Sequence, residues 1–175
     1  MSPAHEREAL DARWMRAALE EAEKAAAEDE VPVGAIVVRG GAVVARGHNR
    51  RESLQSPLAH AELAAIGEAA GALGTWRLNE CELYVTLEPC IMCVGAILQA
   101  RIARLVFGCL DPKGGAVRSL YRLCEDGRLN HRLPVTAGVL AGECAALLAG
   151  FFSSLRERKQ STRHAERWPS PAEGA

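Results

Sequence analysis

Leu83-Tyr84-Val85-Thr86-Leu87-Glu88-Pro89-Cys90-Ile91-Met92-Cys93 changes structure partway along its length. Its first five residues are β-branched, aromatic and aliphatic, as in a buried strand. Pro89 then stops the strand and suits the start of a helix, which the spacing predicts over residues 91–99. A second strand, 104–109 (Arg-Leu-Val-Phe-Gly-Cys), follows directly. Strand, helix and strand in this order form a parallel crossover unit.

Upstream, residues 33–38 and 42–45 are β-branched-rich runs flanking Gly40-Gly41, a pair able to form a tight hairpin because both residues tolerate positive φ. Before the hairpin, Leu10, Trp14, Ala17, Ala18, Ala22 and Ala25 recur at helical spacing. After it come a polar loop over 49–57 and a helix over 59–70, with Gly71 and Gly74 as stop signals. Downstream lie a Gly-rich loop at 111–116, a short helix near 120–124, a strand over 135–140 and a helix over 144–158. A hairpin followed by alternating strands and helices predicts an α/β fold with a five-stranded mixed sheet and helices on its faces. Residues 1–159 read as one domain. Beyond Lys159 periodicity is lost, and a disordered tail over 160–175 is expected.

The composition fits a globular domain. The chain has 175 residues, of which 49% are hydrophobic and 25% charged, which excludes disordered and collagen-like classes. The net charge of −1 is unevenly spread. Residues 1–30 hold 4 basic and 9 acidic side chains, whereas 99–135 hold 7 basic and 3 acidic ones. The second segment suits an anionic partner or a solvated face. No run approaches the ~18 apolar residues of a membrane span. Glu6, Arg7, Glu8, Asp11, Arg13 and Arg16 interrupt the first turns, so a cytoplasmic location is expected. In that compartment, closely spaced Cys are metal ligands or redox groups more often than structural bridges.

Two short motifs carry chemistry: His60-Ala61-Glu62 and Cys90-Ile91-Met92-Cys93. Alone, the first is compatible with an ordinary helix surface. The second is compatible with a redox pair, half of a four-Cys zinc site, or two core thiols. Together they restrict one another. Cys90 and Cys93 stand one helical turn apart behind Pro89, where helix-terminal amides favour thiolate. His60 lies near the start of its own helix. If the strand at 83–87 brings both helix starts together, one imidazole and two thiolates supply the three ligands of a catalytic zinc with an open position. Cys81, Cys109, Cys124 and Cys144 are isolated, so no second Cys pair offers a structural alternative. Glu62 is placed to move protons or, more modestly, to cap its helix.

His-x-Glu followed by Pro-Cys-x-x-Cys is the signature of zinc nucleobase deaminases. With its flanking blocks, the chain resembles the bacterial tRNA-specific adenosine deaminases from about Trp14 to Arg156. Those blocks are 30–35 (Glu-Val-Pro-Val-Gly-Ala), 47–50 (Gly-His-Asn-Arg), 83–90, 111–113 (Asp-Pro-Lys), 130–132 (Asn-His-Arg) and 143–148. The resemblance implies a cytidine-deaminase-like three-layer α/β/α fold and one zinc per subunit held by His60, Cys90 and Cys93. It implies Glu62 as the proton shuttle of a hydrolytic deamination, turning the wobble adenosine of a tRNA anticodon into inosine. It further implies that Asn49 binds the nucleoside, that Asp111, Lys113, Phe152 and Arg156 contact the anticodon stem-loop, and that the enzyme is a homodimer. Leu58, Leu110 and Arg118 depart from the family pattern and bear on RNA contacts, not on the chemistry. A same-fold deaminase of a free base or nucleotide remains the nearest alternative. A non-catalytic RNA-binding module with a structural zinc is a further one, against which Glu62 argues.

Overall fold

In the computed structural model, which describes residues 2–167, and side chains through 161, five strands form one mixed sheet. Helix α1 (Pro3–Ala27) leads into the hairpin of β1 (Gly34–Arg39) and β2 (Ala42–His48). Then come α2 (Ala61–Leu73), β3 (Cys81–Leu87), α3 (Ile91–Gln99), β4 (Arg104–Cys109), a 3-10 turn at Leu123–Glu125, β5 (Val135–Ala137) and α4 (Ala141–Arg167). The sheet order is β2-β1-β3-β4-β5. Both pairings of β1 are antiparallel, and β3, β4 and β5 run parallel. Gly40 and Gly41 take φ of 57° and 76°, as the tight turn requires.

Strands covered on both faces are apolar throughout, and alternate side chains divide the core in two. Ala35, Val37, Leu83, Val85, Leu105 and Phe107 pack with Ala61, Ala65, Val94 and Ile97 under α2 and α3. Ile36, Val38, Tyr84 and Val106 pack with Trp14, Met15, Ala18 and Cys144 under α1 and α4. The expected three layers are therefore present.

Several boundaries differ from expectation, each for a local reason. Helix α1 begins earlier, because Ser2 accepts from the His5 amide and Pro3 suits the first turn. Helix α2 runs through Gly71 and ends at Gly74, whose φ of 65° is the left-handed stop. The short helix expected over 120–124 is a three-residue 3-10 turn. Strand β5 ends at Ala137, because Gly138 and Leu140 take positive φ. Helix α4 starts at Ala141 and continues past Lys159 to Arg167, since residues 160–167 contain neither Pro nor Gly to stop it. The part of the expected tail over 168–175 lies outside the described residues.

On the α1 face, Arg104 grips Asp11 with two hydrogen bonds of 2.9 and 2.7 Å, and the Tyr84 hydroxyl reaches Asp11 at 2.8 Å. Burial would raise the Asp11 carboxyl, but hydrogen bonds from Arg104 and Tyr84 hold it below its ordinary 3.8. A carboxyl lowered by folding stabilises above its unfolded value and ceases to do so as pH falls through the folded one. Asp11→Asn should therefore lower the urea midpoint near pH 7, and the deficit should shrink steadily below pH 3.8. A deficit that persists unchanged into strong acid would remove the ionised carboxylate from this account.

Candidate active site

The sheet gathers its functional residues at one end. Because β1 is antiparallel to both neighbours, its start lies beside the ends of β2 and β3, and β4 ends there as well. Val31 and Val33 before β1, Asn49 after β2, Leu87, Glu88 and Cys90 at the end of β3, and Asp111 after β4 line one cleft. Its volume is about 170 Å3, and Arg51, His60, Ala61 and Glu62 complete the wall. Ligands of open α/β sheets bind at the carboxyl ends of parallel strands, and this cleft lies at that end.

Helix α2 reaches this cleft because Gly47 has no side chain: a Cβ there would lie 2.6 Å from the Ala61 carbonyl oxygen and 2.7 Å from the Ala65 nitrogen. His60 and Cys90 occupy the N-cap positions of α2 and α3, and neither side chain caps its helix. Both are thus free to face the cleft. The His60 Nδ1 atom lies 3.8 Å from Cys90 Sγ and 3.4 Å from Cys93 Sγ. All three donor atoms fall within 4.8 Å of one another, and no other such group of three occurs among the described residues.

This donor set fits zinc. With ligand distances of about 2.0 Å for nitrogen and 2.3 Å for sulfur, a tetrahedral N–S edge is roughly 3.6 Å, close to both observed separations. Without a cation, only one of the two thiols ionises readily. Hydrogen bonds from Cys93 and His60 lower the Cys90 thiol to about 3, and that charge pushes the Cys93 thiol up and the imidazole up with it. A dication would neutralise both thiolates at once.

Glu62, 4% exposed, is the second residue of α2 and lines the cleft together with His60 and Cys90. Burial pushes its carboxyl up, which suits a group that must take and return a proton. Asn49 is buried, its Nδ2 donating to the Val31 carbonyl at 3.2 Å, while its Oδ1 has no partner. A buried acceptor with no partner in the wall of a cleft is available to a ligand donor.

Of the remaining expected residues only Asp111 reaches the cleft. Asp111 lines the cleft, but its Oδ1 accepts from the Lys113 and Gly114 amides at 3.0 and 3.1 Å and thereby forms a turn. Lys113 is exposed on that turn, outside the cleft lining. Phe152 and Arg156 lie one turn apart on α4, away from the lining; Phe152 is 40% exposed and meets Phe151 edge-to-face at 5.5 Å. Four of the seven cations over 99–135 are paired with acids of this chain, and only Arg104 draws on acids outside the segment. Arg104 pairs with Asp11 and Glu82, Arg118 and Arg122 with Glu125, and Arg128 with Asp126.

Two buried carboxylates beside the cleft escape the motif reading. Glu30 accepts from the Glu52 and Ser53 amides, and Glu88 from those of Asp111, Val117, Arg118 and Ser119. For each, burial favours the neutral form, yet these hydrogen bonds hold the carboxyl below its ordinary value. Glu88, between Leu87 and Pro89, carries a local signal as an acid at an apolar strand end, whereas Glu30 follows Glu28 and Asp29 and carries none.

Comparison with known proteins agrees with this geometry. Residues 10–156 match the MafB19-like deaminase family. The chain is 48% identical over 153 residues to the tRNA-specific adenosine deaminase of Bacillus subtilis (strain 168), covering 87% of this chain and 95% of that one. Among solved structures it resembles a tRNA:A34 deaminase studied for A-to-I editing at the wobble position of transfer RNA. The TM-score is 0.75 and the identity 47%, covering 77% of this chain and 98% of that one. It also resembles a guanine deaminase from Nitrosomonas europaea, with a TM-score of 0.66 and 26% identity over 80% of this chain and 83% of that one.

Proposed function

This chain belongs to the tRNA-specific adenosine deaminases, and on that premise we propose that it hydrolyses the wobble adenosine of a tRNA anticodon to inosine at the His60–Cys90–Cys93 cleft. The observation that carries the assignment is the placing of a buried Glu62 against an imidazole and two thiols at one end of the sheet. His60, Cys90 and Cys93 would hold one zinc ion per subunit. Zinc in such a site lowers the pKa of a water to about 7.

The chain's own residues do the rest. Glu62 takes the water's proton, delivers it to the ring nitrogen beside the reacting carbon, and supplies the proton with which the exocyclic amine departs as ammonia. Oxygen is added to the ring carbon and the carbon–nitrogen bond breaks, so water and adenosine become inosine and ammonia. Val31, Val33 and Leu87 provide apolar walls that exclude bulk water from the base. The Asn49 Oδ1 atom accepts a hydrogen bond from the nucleoside. An anticodon loop presents its base nearly unpaired, so little energy is spent in extruding it.

Asn49→Ala should leave the metal content at wild-type level and cost about 1–3 kcal/mol in kcat/KM, the size of one buried hydrogen bond whose partner is left unpaired. Wild-type kinetics on a tRNA substrate would place Asn49 outside nucleoside recognition.

Among the described residues no helix is long and apolar enough to cross a membrane, and a tRNA substrate is met in the cytoplasm. Exposed Leu58, Ile91 and Leu110 each lie one or two residues from a cleft-lining side chain, which supports a homodimer joined beside the cleft. The assignment is tested by incubating the zinc-loaded protein with a transcribed tRNA pool and sequencing the anticodons for A-to-I change. Guanine, cytosine and deoxycytidylate serve as parallel substrates, since the fold is shared with a guanine deaminase. Ammonia released from a free base, with the anticodons unaltered, would overturn it.

A further inference from the structure

Neither rim of the cleft is regular structure. One is the loop over 50–57, which carries Arg51 into the lining; the other is the loop over 111–119, which carries Asp111 and Lys113. Each rests on one buried glutamate. Under the second rim, Glu88 is 2% exposed and both its oxygens are occupied. Its Oε2 accepts from the Asp111 amide at 3.0 Å and lies against the Ser119 hydroxyl, while Oε1 accepts from the amides of Val117 (3.1 Å), Arg118 (2.6 Å) and Ser119 (2.9 Å). A Cβ at Gly115 would lie 2.3 Å from this carboxylate, so the loop wraps it closely. Under the first rim, Glu30 is 1% exposed and accepts from the amides of Ser53 (2.7 Å) and Glu52 (3.1 Å).

Neither carboxylate forms an ion pair among the described residues. Burying a charge with no cation as partner is expensive, and an acceptor-only group is what several converging N–H donors require. The same device recurs under both rims. We propose that Glu30 and Glu88 are positioning residues that hold the two rim loops in the shape that captures a base carried on an RNA loop. They act on substrate capture, and through it on specificity for RNA, not on the proton transfers of Glu62. The inference rests on the wobble-adenosine reading above.

The test compares Glu88→Gln and Glu30→Gln with wild type on an anticodon stem-loop. An amide turns its NH2 against the loop amides and so inverts part of the contact. KM should rise about tenfold, as expected for one charge-assisted hydrogen bond lost from a preorganised loop, while kcat falls less than about threefold. Zinc should stay at one per chain. Ser119→Ala, which removes a single hydroxyl contact, should move KM in the same direction by less, and it carries the test if a Gln variant fails to fold. A fall in kcat at constant KM, loss of zinc, or wild-type kinetics in the variants would overturn the inference. A wild-type protein inactive on the stem-loop would instead overturn the wobble-adenosine reading.

Discussion

Replacing Glu62 by Gln is expected to lower turnover on an anticodon stem-loop by about 10²–10⁴-fold, the usual contribution of a positioned acid–base group. The amide nearly matches the carboxylate in shape, so the packing of a residue only 4% exposed is preserved. What it lacks is a proton to exchange. Glu62 does not belong to the His60–Cys90–Cys93 donor group, so zinc per chain should remain at the wild-type value. Single-turnover measurement with bound RNA separates this loss from weakened binding: the variant should bind normally and react slowly. Deamination near the wild-type rate would remove Glu62 from the chemistry and reopen the non-catalytic reading.

Cys90→Ala and Cys93→Ala should each abolish zinc retention and activity together. Two remaining donors cannot form the three-ligand set with an open position that a catalytic zinc needs. The two variants should differ in stability. Cys93 is a fully buried residue of α3, so truncating its side chain leaves a small void. Cys90 is half-buried at the N-cap, and its removal mainly takes away a negative charge from a helix start that favours one. Metal analysis after dialysis, together with thermal unfolding with and without added zinc, reads both effects. Wild type should gain stability from added zinc, since a ligand bound only by the folded state stabilises it, and neither variant should gain any. One zinc retained per chain in either variant would show that the ligand set is wrong.

The internal neutralisation of the basic segment changes where RNA contacts are to be sought. Four of its seven cations are paired with acids of this same chain, and Arg101 is tied to Asn130. Lys113 and Arg132 have no acidic partner among the described residues, and neither has Arg51 in the cleft wall. A count of charges along the chain registers sign but not pairing: the acids that meet Arg104 come from α1 and β3, far away in sequence, whereas Glu125 and Asp126 pair with arginines close by.

Local chemistry was legible wherever neighbours within a few residues decide the outcome. The Gly40-Gly41 hairpin, the β3–α3–β4 crossover and the i, i+3 placing of Cys90 and Cys93 follow from short-range spacing, and α3 and β4 lie at their predicted bounds. Helix ends were less legible, because a helix continues until something stops it: Gly71 did not, Gly74 did, and residues 160–167 offered no stop. Tertiary structure alone decided what depends on contacts across the sheet. It brought His60 to the two cysteines, 30 and 33 residues away in sequence. It left the Asn49 oxygen without a partner in the cleft wall, and it turned Glu30 and Glu88 inward to hold loops 22 to 31 residues further on. A buried acid and a solvated one have the same letter; only the backbone amides that converge on it, supplied by distant loops, distinguish them.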